Sequence, residues 1–168
     1  MHKSVVVSWM VRAVVVCLLF VGVEVGSRIP GAAAAACKRG AYKVRGVATR
    51  TFCGSAKGTA TIGTTKLVFP EGECESNGST FAANFGTIVL GADDGAKPVK
   101  ATTDYVGIAV LASAKDGVNT GLMSGNLKGK GLIVGQATVT LSGGKRKATI
   151  TGTAIGSFHG AVSATVTC

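Results

Sequence analysis

Read backwards from Cys168, the residues Val166, Ala164, Val162, Gly160 and Phe158 fall on one face of an extended chain, and Thr167, Thr165, Ser163, Ala161 and His159 fall on the other. Strand side chains alternate with period two, so the pattern predicts a half-buried β-strand with Cys168 in the core-facing phase. The same alternation runs through Ala137, Val139 and Leu141 against Thr138, Thr140 and Ser142, and again through Ala148, Ile150, Gly152 and Ala154 against Thr149, Thr151 and Thr153. Between these two runs lies Gly143-Gly144-Lys145-Arg146-Lys147, where Gly-Gly supplies the positive φ of a tight hairpin and the basic tip belongs in water. Further strands are predicted over 42–51, 58–62, 66–69, 80–90, 104–112 and 131–134, and the stretch 117–131 reads as a long loop. No segment sustains a 3.6-residue apolar period, and Val, Thr, Ile and Gly dominate, against helix preference. The expected fold is all-β: an antiparallel β-sandwich or barrel of about seven to nine short strands.

The first 36 residues follow a different pattern. Lys3 and Arg12 precede an uninterrupted apolar run from Ala13 to Val23, and a short polar stretch then leads to Gly31 and five alanines. This is the order of a secretory signal peptide. A spanning helix wants about 20 apolar residues, and Arg12 and Glu24 bound this run well short of that. The expectation is a cleaved signal over 1–36 and a single β domain over 37–168, secreted or cell-surface associated, with no transmembrane segment in the mature chain. Ala34-Ala35-Ala36 before Cys37 is also similar to a lipobox, which would anchor the protein through a lipid on Cys37. Two points favour plain secretion. Ala34 stands where a lipobox usually has a large aliphatic, and lipidating Cys37 would leave an odd thiol among Cys37, Cys53, Cys74 and Cys168. In an oxidising compartment these four are expected in two bridges, with three connectivities open.

Composition explains why bridges matter. Residues 37–168 carry 15 Lys and Arg against 7 Asp and Glu, and 22 of the 132 are glycine, well above the usual share of about 7%. Val, Leu, Ile, Phe and Met together number only 31, a thin core for one domain. A bridge from Cys74 to Cys168 would close a loop long enough to contribute about 4–5 kcal/mol in the chain-entropy account.

Candidate chemistry is sparse. His159 is the single histidine of this region and lies in the outward phase of the last strand, without the partners that a nucleophile activator or metal ligand needs. Glu71, Glu73 and Glu75 alternate around Cys74 and would share a strand face, suited to a hard cation or, more simply, to protecting a sheet edge. Asp93-Asp94-Gly95 followed by Pro98 is turn chemistry. Gly129, Gly131 and Gly135 loosely echo a dinucleotide fingerprint, but that needs a strand, a glycine turn and a helix. No G-x-S-x-G elbow occurs, and Asn77-Gly78-Ser79 fits the glycosylation sequon formally. The reading is of a protein that is not an enzyme, with no catalytic residue, cofactor or metal site.

The basic residues are unevenly spread. Seven positive charges and no acid fall between residues 38 and 66, and Lys145-Arg146-Lys147 forms a second cluster. Candidate contacts for an anionic envelope component or lipid are Lys38, Arg39, Lys43, Arg45, Arg50, Lys145, Arg146 and Lys147. Aromatics placed to stack on bases are limited to Tyr42, Phe52 and Tyr105, which argues against specific nucleic-acid binding.

From Cys74 onward the order of features resembles the mycobacterial nineteen-kilodalton lipoprotein antigen family. The carriers are Cys74, then Asp94-Gly95-Ala96-Lys97-Pro98-Val99-Lys100, then Ile150-Thr151-Gly152-Thr153-Ala154-Ile155-Gly156, and the closing Val166-Thr167-Cys168. The resemblance implies a non-catalytic envelope protein and a bridge between Cys74 and Cys168, in keeping with the inward phase of Cys168. The chain departs from the family in its poor lipobox, in lacking an acidic Thr/Ser-rich spacer, and in a basic segment holding Cys37 and Cys53. That segment is expected to add a strand pair tied by Cys37–Cys53. The function expected is a secreted or envelope binding or structural role. Electrostatic attachment to phospholipid headgroups or an acidic wall polymer is the alternative, and a small secreted hydrolase or inhibitor has no supporting constellation.

Overall fold

The computed structural model describes residues 37–44, 46–92 and 104–168. The expected signal segment, Arg45 and the Asp93-Asp94-Gly95 turn lie outside the described residues. The described chain is all-β, with strands β1 Gly40–Val44, β2 Val47–Phe52, β3 Lys57–Ile62, β4 Thr65–Phe69, β5 Glu73–Ser76 and β6 Phe81–Ala92. They continue as β7 Tyr105–Val110, β8 Gly117–Leu127, β9 Lys130–Ser142, β10 Lys147–Gly156 and β11 Gly160–Thr167. All belong to one antiparallel sheet, in the order β1-β2-β6-β7-β8-β9-β10-β11-β3-β4, with β5 beside the first half of β6.

Eleven strands exceed the expected seven to nine, and each difference has a local cause. The single run expected over 42–51 is a hairpin, β1 and β2, closed between Val44 and Val47 around Gly46 at φ 80°. The acidic stretch around Cys74 forms the short strand β5. The expected loop over 117–131 is mostly the strand β8, whose core-facing phase includes Gly121, Met123, Gly125 and Leu127. Two of those four are glycines because neighbours stand too close for a side chain. A Cβ on Gly121 would lie 2.6 Å from the Ala109 carbonyl oxygen and 2.7 Å from Val139 Cγ2. Conversely, the runs expected at 131–134 and 137–142 are one strand, β9. Its buried phase skips a residue at Gly135-Gln136, where the ladders to both β8 and β10 shift register, as at a β-bulge.

The sheet rolls up on itself. β4 and β6 are far apart in strand order, yet Phe69 of β4 stacks on Phe85 of β6 with centroids 5.1 Å apart. Gly58 of β3 presses on the same ring, where a Cβ would meet Phe85 Cζ at 2.9 Å. Residues from β3 and from β6 to β11 therefore form one core, filled by side chains such as Phe81, Phe85, Met123, Leu132, Leu141 and Ile150. The C-terminal strands match their expected phases. Val162, Ala164 and Val166 are buried, opposite Gly152, Ile150 and Ala148 of β10.

Two disulfides are formed, Cys37–Cys53 across the mouth of the β1–β2 hairpin and Cys74–Cys168 between β5 and the end of β11. Their Cα separations are 5.9 and 5.6 Å. The second bridge joins strands that lie on opposite sides of the closure, so it fastens the roll.

Antiparallel pairing sorts the connections into two ends. The β1–β2, β3–β4, β8–β9 and β10–β11 turns and the start of β7 form what is termed here the upper end. The β5–β6, β7–β8 and β9–β10 connections and Cys168 form the lower end. Among the described residues no helix is long and apolar enough to cross a membrane.

Candidate functional site

At the lower end, the basic hairpin tip is built into the structure rather than lifted free of it. Gly143, Gly144 and Lys145 all take positive φ, at 68°, 71° and 62°. Asp116, from the β7–β8 connection, holds that turn by accepting hydrogen bonds from the backbone N–H groups of Gly144 and Lys145, both at 2.8 Å. Those bonds hold the Asp116 carboxyl below the usual carboxylate range. The Lys145 side chain turns inward and is half-buried. Its Nζ donates to the carbonyl oxygens of Asn77 at 2.7 Å, Gly78 at 3.2 Å and Ala114 at 3.4 Å. Lys145 thus ties three connections together, so one charge of a tip expected in water is held by the fold. Arg146 and Lys147 are exposed, and Arg146 Nε bonds only locally, to the Gly143 carbonyl at 3.0 Å.

The difference between these neighbours is measurable. Lys145→Met should cost about 1.5–3 kcal/mol, because charge-assisted hydrogen bonds are lost and three carbonyls lose their donor. Arg146→Gln and Lys147→Gln should each stay within about 0.5 kcal/mol of the parent. Urea unfolding of the three variants side by side decides it, and equal midpoints would remove the clamp role from Lys145.

The N-terminal charges are also partly engaged. Arg39 Nε pairs with Glu73 Oε1 at 2.6 Å, and Arg50 approaches the other oxygen at 3.7 Å. Glu73, 13% exposed on its side chain, is a base on which two arginines converge; sequence distance hid this, since Glu73 lies outside the acid-free segment. Arg50 also lies over the Phe52 ring at 4.8 Å, and Phe52 packs on Tyr105 at 5.7 Å. Tyr105 donates to Asn84 Oδ1 at 2.8 Å, and its partial burial raises its pKa. Lys38 stands 5.2 Å from the Tyr42 ring centroid, Lys43 belongs to β1, and Arg45 lies outside the described residues. The described candidates thus fall into two groups, Lys38, Arg39, Lys43 and Arg50 along β1 and β2 and Lys145, Arg146 and Lys147 at the β9–β10 turn.

The remaining sequence candidates take structural places. His159 is exposed just before β11. Asn77 Oδ1 accepts from the N–H groups of Ser79 and Thr80, an Asx-type turn. Lys128-Gly129 is the positive-φ turn of the β8–β9 hairpin. Among the described residues no three His, Cys, Asp or Glu side chains group closely enough to hold a metal ion.

A different surface gathers at the upper end. A groove of about 380 Å³ runs between the far part of β6 and the β8–β9 hairpin, lined by Ile88, Val89, Tyr105, Ser124, Asn126 and Ile133 among others. Ile133 faces Ile155 across the β9–β10 ladder. Val89, Leu90, Ile133 and Ile155 are between 44% and 59% exposed, large aliphatics left in water. Beside them the ladder continues through Asn126 and Gly131 to Leu127 and Lys130, so the Lys128 and Lys130 turn borders the groove. Arg50 faces Ile88 across the β2–β6 ladder. The described carboxylate at this end is Asp104, whose Oδ1 accepts the Lys128 backbone N–H at 2.6 Å. Lys128 and Lys130 were absent from the sequence candidates because they stand apart from the long basic segment. Only the strand order places them against exposed aliphatics. Comparisons with family models, curated proteins and solved structures yield no match to this chain.

Proposed function

We propose that the protein is an exported, non-catalytic β-domain of the cell envelope that attaches to an anionic lipid surface through its upper end. The observation that carries this reading is that Val89 and Ile133 line one groove there, with Leu90 next to Val89, Ile155 facing Ile133, and Lys128 and Lys130 at the turn of the same β8–β9 hairpin. Exposed aliphatics enter the boundary between headgroups and acyl chains, while each lysine near an anionic leaflet contributes about 1 kcal/mol. An acidic wall polymer offers the charge but no apolar phase for four aliphatic side chains, so the lipid fits better. Two disulfides accord with an oxidising, extracellular environment.

Cosedimentation of residues 37–168 with phosphatidylglycerol vesicles should show binding that weakens with rising salt and is absent on phosphatidylcholine alone. Lys128→Gln with Lys130→Gln should weaken it at least tenfold, and Ile133→Ser with Ile155→Ser should weaken it comparably. Retention by the isoleucine variant alone, together with equal binding to an acidic polymer, would transfer the partner to the wall. Retention by both variants would end the proposal.

A further inference from the structure

We infer that the seam where the rolled sheet fails to close is a binding site for a neutral single-chain amphiphile, such as a long-chain alcohol. β1 and β4 are the two ends of the strand path, and among the described residues each has one edge without a ladder partner. Lower down, the gap is shut by β5 on β6 and by the Ser55–Gly72 bridge. Above that level a cleft of about 360 Å³ remains, within the range of small-molecule sites, which commonly occupy the mouths of β-barrels.

Part of its wall is made by inward-facing residues that pack on the core yet keep uncovered surface. Leu67 and Phe69 of β4 stand opposite Ala60 and Gly58 in the core phase, yet both are only half-buried. Leu127 closes the floor, and Val68 stands at the rim, 74% exposed. An apolar chain lying against these surfaces would complete the burial that a further strand would otherwise supply.

The polar groups select the head. Tyr42 Oη lies 2.8 Å from Thr51 Oγ1, which lies 2.7 Å from Thr87 Oγ1. Three hydroxyls joined by two hydrogen bonds leave one O–H proton over; with Tyr42 donating to Thr51 and Thr51 to Thr87, that proton is on Thr87, which lines the cleft. Thr51, 9% exposed, anchors the run against β2. The charged residues of the lining are Glu71 and Asp104, both carboxylates. A carboxylate head would meet repulsion there, and a trimethylammonium head has no acceptor for the Thr87 O–H, whereas a neutral oxygen accepts from Thr87 without repulsion.

Thr87 lines both this cleft and the upper groove, whereas Leu67, Val68 and Phe69 line only the cleft and Ile133 only the groove, so changes at Val68 and at Ile133 tell the two sites apart without vesicles. Titration calorimetry of residues 37–168 with decan-1-ol, decanoate and decyltrimethylammonium compares three heads on one chain length, each below its aggregation threshold. The expected result is saturable one-to-one binding of decan-1-ol, with decanoate at least tenfold weaker. Thr87→Val should weaken decan-1-ol about fivefold, and Val68→Glu, an exposed change at the rim that spares the fold, should weaken it at least tenfold. Ile133→Ser with Ile155→Ser should leave it unchanged. Absence of saturable binding overturns the site. Decanoate or decyltrimethylammonium binding as tightly as the alcohol overturns the neutral head, and loss with the isoleucine variant while Val68→Glu still binds moves the ligand to the upper groove.

Discussion

Replacing Cys74 and Cys168 together by serine is expected to lower the stability of the domain by about 4–5 kcal/mol, the chain-entropy value for a loop of this size. The two positions are 94 residues apart in sequence, and the bridge joins β5 to the end of β11 across the closure of the roll. Few single changes are larger in a domain whose whole margin is of order 5–15 kcal/mol. The core is thin, and Cys74 and Cys168 pack against it as partly buried side chains. The Cys37–Cys53 bridge spans 16 residues, and its removal should cost about 3 kcal/mol by the same account. Urea unfolding of the two double-serine variants tests both values. Equal losses would show that loop length does not govern the effect, and a negligible loss from the longer loop would show that packing alone holds the roll.

Phe85→Ala is expected to cost about 3–5 kcal/mol, the range for removing a fully buried aromatic. The ring is 1% exposed and fills the place where β3, β4 and β6 meet. Phe69 stacks on it, Gly58 lies against its tip, and Gly72 packs so closely that a Cβ there would meet the Asn84 carbonyl oxygen at 2.6 Å. Because two glycines are shaped around the ring, smaller neighbours cannot refill the space, and the cavity term adds to the lost transfer energy. Thermal and urea unfolding measure the loss. A cost under about 1 kcal/mol would show that β4 does not depend on Phe85 for its place.

Period-two alternation was readable wherever inward positions carry Val, Ile, Leu or Ala, as in β9, β10 and β11. It faded in β8, where Gly121 and Gly125 occupy the inward phase because backbone and neighbouring side chains come too close for a Cβ. It breaks at Gly135-Gln136, where a bulge shifts the phase within one strand, and at Gly46, where one glycine turns an apparent strand into a hairpin. Among the candidate contacts, the hairpin tip was located correctly, but the role of Lys145 depends on carbonyls from residues 77, 78 and 114, which no local pattern announces.

By itself the sequence determined the all-β class, the inward phase of Cys168 and the hairpin through Gly143 and Gly144. These follow from side-chain alternation and from the φ that glycine permits, both properties of neighbouring residues. The tertiary structure alone decided that Glu73 meets Arg39 and Arg50, that Lys128 and Lys130 share a hairpin with exposed aliphatics, and that a cleft lies between β4 and residues of β2 and β6. Each of those depends on strand order, which is set by how one continuous sheet rolls to bury Phe85 and the core around it.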